Sequence, residues 1–218
     1  MLHALTKHKI SHEFRNQIWN LEDAKTSSII GNLLHLPTDL FWEIMLCATA
    51  STDKHSHSLP KVGETGEILD YEFWPSWRLI EKVEPDVFIS FENFDLIIEL
   101  KVNDYNQQKS WQWKREFDAY RQQYPNETKN VYLIAISGKT EETLENVFQC
   151  SWQSILESVV NTRQNYKNNQ ATDNLVRVLD DIITAFSFHK EYAFKYLDSV
   201  MLKELPIQTN CIIPDLPL

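Results

Sequence analysis

Between Pro85 and Asp104 the chain reads PDVFISFENFDLIIELKVND. Residues 86–91 and 94–102 are rich in Val, Ile, Phe and Leu, side chains that suit strands, and Glu92-Asn93 is the polar break between them. A two-residue turn there predicts a hairpin in which Phe91 faces Phe94 and Asp86 faces Glu99; Asn93 tolerates the positive φ such turns use. Side chains alternate between the faces of a strand. One face then carries Val87, Ile89, Phe91, Phe94, Leu96, Ile98, Leu100 and Val102, all apolar. The other carries Asp86, Phe88, Ser90, Asp95, Ile97, Glu99 and Lys101. The pattern sorts the charges onto one side of the hairpin.

Helical periodicity appears over 11–23 and over 37–50, where Leu40, Phe41, Ile44, Met45 and Ala48 form a stripe flanked by Glu43. Residues 51–65 are a polar loop. Its Asp53-x-His55-x-His57 pattern is compatible with a metal, although a solvated loop explains it as well. Residues 66–74 alternate like a strand. Residues 107–124 are helical, with Trp113, Phe117, Tyr120 and Tyr124 on one stripe. A buried strand follows at 130–137, then helices at 151–166 and 171–197. The tail from Leu205, with three prolines, reads as an extended strap. The order helix, strand, strand, strand, helix, strand, helix predicts an α/β fold, a mixed central sheet flanked by helices. We expect one domain over 1–218, with a core over about 37–165 and a C-terminal helical extension over about 166–218.

Composition narrows the chemistry. Four glycines in 218 residues disfavour phosphate-cradling loops, and neither a Walker A sequence nor a dinucleotide fingerprint is present. Cys47, Cys150 and Cys211, far apart and odd in number, suit buried thiols in a reducing cytoplasm better than a disulfide framework or a zinc site. No apolar run approaches the length of a membrane span, and the first residues lack the apolar stretch of a secretory signal, so we expect a cytoplasmic protein. A net charge of −10 argues against a protein that coats nucleic acid electrostatically. It leaves room for an enzyme with a local basic groove.

The opposed carboxylates are the chemical signal. Cβ atoms of directly opposed residues lie roughly 4.5–5.5 Å apart. Two carboxylates held so close either share a proton or take a cation between them. A hard divalent ion, bound by oxygens at about 2.0–2.1 Å if it is magnesium, meets that need. Lys101 lies two residues beyond Glu99 on the same face.

Asp86, Glu99 and Lys101, spaced as Pro-Asp…Glu-Leu-Lys on this element order, resemble the PD-(D/E)XK nuclease superfamily, the restriction-endonuclease-like fold, over roughly residues 37–165. Cys150-Ser151-Trp152-Gln153, opening the next helix, is similar to members of the superfamily too. One departure concerns its RecB-like branch, which carries Gln-x3-Tyr on the helix after Glu-x-Lys. Here Glu116 and Tyr120 hold that spacing, and Gln112 lies one turn earlier. The resemblance implies metal-dependent hydrolysis of phosphodiester bonds, in DNA before RNA, in defence or DNA processing. It implies that Asp86, Glu99, the Leu100 backbone carbonyl and Glu43 hold Mg²⁺ or Mn²⁺, and that Lys101 acts on the attacking hydroxide or the phosphate. Lys109, Lys114, Arg115 and Arg121 would meet phosphates, and Trp111 and Trp113 would either stack on bases or pack in the core. A homo-oligomer or a partner protein remains open. The competing readings are a catalytically silent nuclease-fold module that binds or regulates, and an α/β interaction protein with a coincidental acidic pair.

Overall fold

The computed structural model describes residues 18, 21–51, 58–105, 107–138, 140–168 and 173–193. The expected helix over 11–23 falls mostly outside them. So do the Asp53–His57 pattern, Cys211 and the tail from Leu205. Of the thiols expected to be buried, Cys150 is, but Cys47 is exposed on the outer side of its helix.

The central sheet has five strands, β1 (Ile68–Phe73), β4 (Val87–Phe91), β5 (Phe94–Leu100), β6 (Asn130–Ile136) and β7 (Val147–Cys150), in the order β1-β4-β5-β6-β7. The pairs β1/β4 and β4/β5 are antiparallel, and β5/β6 and β6/β7 are parallel. The sheet is therefore mixed, as the element order predicts. A separate two-stranded ribbon, β2 (Trp77–Arg78) with β3 (Lys82–Val83), precedes β4. Neither this ribbon nor β7 is anticipated, because two to four residues are too few to establish a period.

Among the described residues five helices cover the sheet: α1 (Glu22–Leu33), α2 (Thr38–Ala50), α3 (Ser110–Gln123), α4 (Trp152–Asn168) and α5 (Asp173–Phe188). On one face α2 packs on α4, α4 on α5 and α5 on α1. Their apolar stripes join Val87, Ile89, Phe91, Phe94, Leu96, Ile98 and Leu100 in a single core. On the opposite face α3 and the β2–β3 ribbon enclose a second core of Trp77, Phe88, Ile97, Trp113, Phe117 and Tyr120. Helix α1 is not expected from its sequence, since Thr26, Ser27, Ser28 and Gly31 are weak helix formers. Burial of Ile29, Ile30 and Leu33 overrides that propensity.

Val87 pairs with Ile98 and Ser90 with Asp95 in the β4–β5 hairpin, which is the predicted register. The turn itself differs from expectation. Neither Glu92 nor Asn93 has a positive φ. Instead their backbone N–H groups donate to the carbonyls of Glu67 and Thr65, at 3.0 and 3.2 Å, so the loop before β1 takes over the work of a tight turn. In β1 the register slips by one between Ile68 and Asp70, and the bulge turns Ile68 to the same side as Phe73; both pack against the larger core. Leu69 and Tyr71 stay exposed on this edge strand. Among the described residues no helix is long and apolar enough to cross a membrane.

Candidate active site

Every residue of β5 is buried, Asp95 and Glu99 included. An ionised carboxylate in such a place must be paired or must give up its charge. Around Glu99 the neighbours are mainly other acids. Asp86, directly before β4, is 7% exposed, and its Oδ2 accepts the Leu100 N–H at 2.9 Å. Its own carbonyl accepts the N–H of Trp74 at 3.0 Å, and Trp74 is held in the left-handed region at φ 52°. Strain of that kind persists only where surrounding structure over-determines it. Backbone and side chain of Asp86 are thus both anchored.

Glu99 Oε1 accepts two short hydrogen bonds, from Lys101 Nζ and from Gln112 Nε2, each 2.6 Å. The Lys101 ammonium also donates to the Leu100 carbonyl at 3.1 Å. A positive group therefore already lies between two of the oxygens that the sequence resemblance gives to a metal. Glu116 lies on the buried stripe of α3, between Trp113 and Tyr120, and is 1% exposed. Its carboxyl meets Glu99 and Gln112, while Oε2 has no hydrogen-bond partner.

The electrostatics follow from this crowding. Burial, then the charge of Glu99, pushes the Asp86 carboxyl up to about 8, against the pull of the Leu100 N–H. Burial and the Glu99 charge also hold Glu116 well above the usual carboxylate range. Lys101 shows the opposite balance. Burial lowers its pKa, but Glu99, Glu22 and Asp86 together outweigh burial and raise it.

Glu22 is the member that the sequence does not reveal. It opens α1, half-buried, with Oε1 4.0 Å from Lys101 Nζ, and it accepts a hydrogen bond from the Val102 backbone. Burial raises its pKa, Lys101 lowers it and Glu99 raises it again. Glu43, expected in this role, is exposed on α2 and stays out of the cluster. The buried face of α2 comprises Leu40, Phe41, Trp42, Ile44, Met45, Ala48 and Thr49, which leaves position 43 on the solvent side. The only signal for Glu22 is an acid in a helix's first turn, too common a feature to single out.

The pair at the motif spacing, Glu116 and Tyr120, is divided. Gln112, one turn before Glu116, supplies the amide to Glu99. Tyr120 points elsewhere and donates to Asp95 at 2.6 Å. Trp113 is fully buried, so its stripe is core, whereas Trp111 is 55% exposed. The four basic residues do not form one patch. Lys109 bonds Gln107 and lines a polar cavity of about 630 Å³ with Asp104, Ser137 and Glu142. Lys114 and Arg121 line a different cleft with Phe117 and Glu145. Arg115 shares a cleft with Gln112 and Glu116.

Buried donors fix the backbone after Glu99. Ser151 and Ser154 cap the start of α4 reciprocally, each backbone N–H donating to the other's hydroxyl at 3.0 Å. This seats Trp152, whose indole donates to the Lys101 carbonyl at 2.8 Å. Lys25, 2% exposed, donates to the Val102 carbonyl at 2.9 Å and to Glu191 at 2.6 Å, and lies 4.7 Å from the centroid of the Trp152 ring. Helix α1 thus holds Val102 twice, by its N–H through Glu22 and by its carbonyl through Lys25.

Among the described residues no three His, Cys, Asp or Glu side chains are already drawn together as a metal-ligand group. Magnesium does not require one, because it is commonly held by one or two carboxylates and keeps several waters. Asp86, Glu99 and the Leu100 carbonyl are all hard oxygen donors, so the donor set fits that ion. Compared by sequence, the chain matches no protein-family model and no curated protein.

Proposed function

We propose that this chain is a divalent-metal-dependent nuclease of the PD-(D/E)XK kind, with a restriction-endonuclease-like sheet, that hydrolyses phosphodiester bonds of DNA. One observation carries the reading. Asp86, Glu99, the Leu100 carbonyl and Lys101 meet at the end of one strand pair, and the lysine ammonium spans two of the oxygens a cation would use. Mg²⁺ or Mn²⁺ held by Asp86, Glu99 and the Leu100 carbonyl would supply a water of lowered pKa and screen the phosphate charge. The Leu100 N–H orients Asp86. Gln112 orients Glu99. Lys101, released from the Leu100 carbonyl, positions the attacking water and stabilises charge on the phosphate. The water gives up one proton to solvent as its oxygen bonds to phosphorus, the ester P–O bond breaks, and the leaving oxygen takes up a proton from solvent.

The test pairs two measurements on wild type and Asp86→Ala. Mg²⁺ or Mn²⁺ should raise the melting temperature of wild type by linkage and leave the variant unmoved. Plasmid, linear and single-stranded DNA should be cut by wild type alone. Equal metal responses in the two proteins remove the site. The second reading, a silent module that binds or regulates, is favoured by Glu116, a buried carboxyl where the resembled branch has an amide. A metal response with no cleavage of any substrate selects it.

A further inference from the structure

Helix α3 turns Trp113 inward and Trp111 outward. A single exposed aromatic is ordinary on a protein surface. The surroundings of Trp111 are not. It borders a cleft of about 290 Å³, near the lower limit for small-ligand sites, together with Arg115, Lys82, Gln112 and Glu116. The Arg115 guanidinium lies 5.9 Å from the centroid of the Trp111 ring. Gln112 and Glu116 are the two α3 side chains that meet Glu99. The cleft therefore joins an open indole and two cations to the two side chains that touch the carboxylates.

We propose that this cleft holds one unpaired nucleotide of a single-stranded nucleic acid, its base stacked on Trp111 and its phosphate met by Arg115 and Lys82. The inference deepens the nuclease reading and rests on it for what happens after capture. A base offers a π face to the indole and hydrogen-bonding edges to an amide such as Gln112. The two cations are paired with exposed acids, Arg115 with Glu81 at 3.3 Å and Lys82 with Glu84. Exposed pairs of this kind contribute little, so exchanging the acid for a phosphate is easy.

Net charge decides between single strands and duplex. At −10 the chain repels a polyanion overall, and its basic residues are dispersed over separate clefts. Counterion release, the main source of duplex affinity, is correspondingly weak. Stacking does not depend on net charge and tolerates any sequence, but it needs a base free of its own stack. Bases in a duplex are not free. A strand with unpaired bases is the ligand that such a cleft can capture.

The experiment measures binding by fluorescence anisotropy in EDTA, with labelled oligothymidylate, oligouridylate and a mixed-sequence duplex of equal length. Single strands should bind at least about tenfold more tightly than the duplex, and Trp111→Ala should lose about tenfold or more of that affinity with duplex binding unchanged. Trp111→Phe should retain most of it. A circular dichroism melt checks that both variants fold. The oligothymidylate and oligouridylate arms distinguish DNA from RNA as the source of the strand. Undiminished single-strand binding by Trp111→Ala, or a preference for duplex, overturns the subsite. A wild-type protein that binds single strands but cleaves nothing with Mg²⁺ or Mn²⁺ leaves the subsite standing and removes the nuclease reading.

Discussion

Strand β5 carries two buried carboxylates on one face, four residues apart, and their surroundings are opposites. Asp95 is saturated: Lys129 donates to it at 2.7 Å, Ser90 at 2.8 Å and Tyr120 at 2.6 Å. One negative charge meets one positive charge and two hydroxyls. Glu99 shares the Lys101 ammonium with Asp86 and Glu22, the Glu116 carboxyl crowds it as well, and one Glu116 oxygen has no partner. Burying charge is costly in both places. The fold meets that cost with local partners around Asp95. Around Glu99 it leaves acids protonated, which is the arrangement a divalent cation would resolve. Of two equally buried acids in one strand, the saturated one reads as scaffold and the crowded one as chemistry.

The largest effect that would sharpen this contrast is on rate. Lys101→Ala should lower single-turnover cleavage by roughly 10²–10⁴-fold, the usual contribution of an acid–base or electrostatic group, with metal binding retained. Lys101→Arg should restore only part, since a planar guanidinium does not replace a compact ammonium. Cleavage as fast as wild type in Lys101→Ala would make the lysine a structural partner, like Lys129.

The mirror variant, Lys129→Met, should act on stability. It strands Asp95 without its cation, and urea unfolding should show a loss of about 3 kcal/mol, the lower end for breaking a buried pair. The melting shift given by Mg²⁺ should be unaltered. If Lys129→Met abolished that shift, the two clusters would not be independent and the contrast would fail.

A smaller effect lies in pH. The Asp86 carboxyl is raised from an ordinary 3.8 to about 8 in the folded protein. Between those limits the folded state holds a proton that the unfolded state has lost. Stability without metal is therefore greatest at the acid end of the window and falls as pH rises through it. We expect metal-free melting temperature to drop between pH 6 and 7.5 by roughly 5 °C, or about 2 kcal/mol at about 2–4 °C per kcal/mol. Asp86→Asn should flatten the profile. A wild-type profile that rises with pH would show that Asp86 is ionised and paired.

The strand face was legible because alternation leaves little choice: a one-residue slip would have sent Val87, Ile89 and Leu96 to the opposite face along with Asp86. Glu116 was legible by its motif spacing. Helix-borne members far away in sequence were not. Glu22 and Glu43 look alike as isolated acids beside apolar stripes. Which one faces β5 depends on how α1 and α2 pack, a matter of tertiary contacts that no local period encodes. For the same reason Tyr120, correctly spaced for the expected pair, went to Asp95 and Gln112 took the site.

Lys25 sets a limit on how far the protein can be trimmed. Its ammonium joins helix α1 to the Val102 carbonyl and, 166 positions along the chain, to Glu191. A fragment over 37–165 would retain Asp86, Glu99, Lys101, Gln112 and Glu116, every residue that the motif names. It would lose the helix that holds both polar groups of Val102, and the α5 side chains Leu179, Ile182 and Phe186 that close the larger core. Cutting only after α5, before Glu191, leaves a buried lysine without its counter-ion directly behind the strand of the acidic cluster. The segment that carries the motif is thus not the smallest piece that can hold its shape, and an expression fragment has to include at least Glu22 through Ala193, the last buried residue of the larger core.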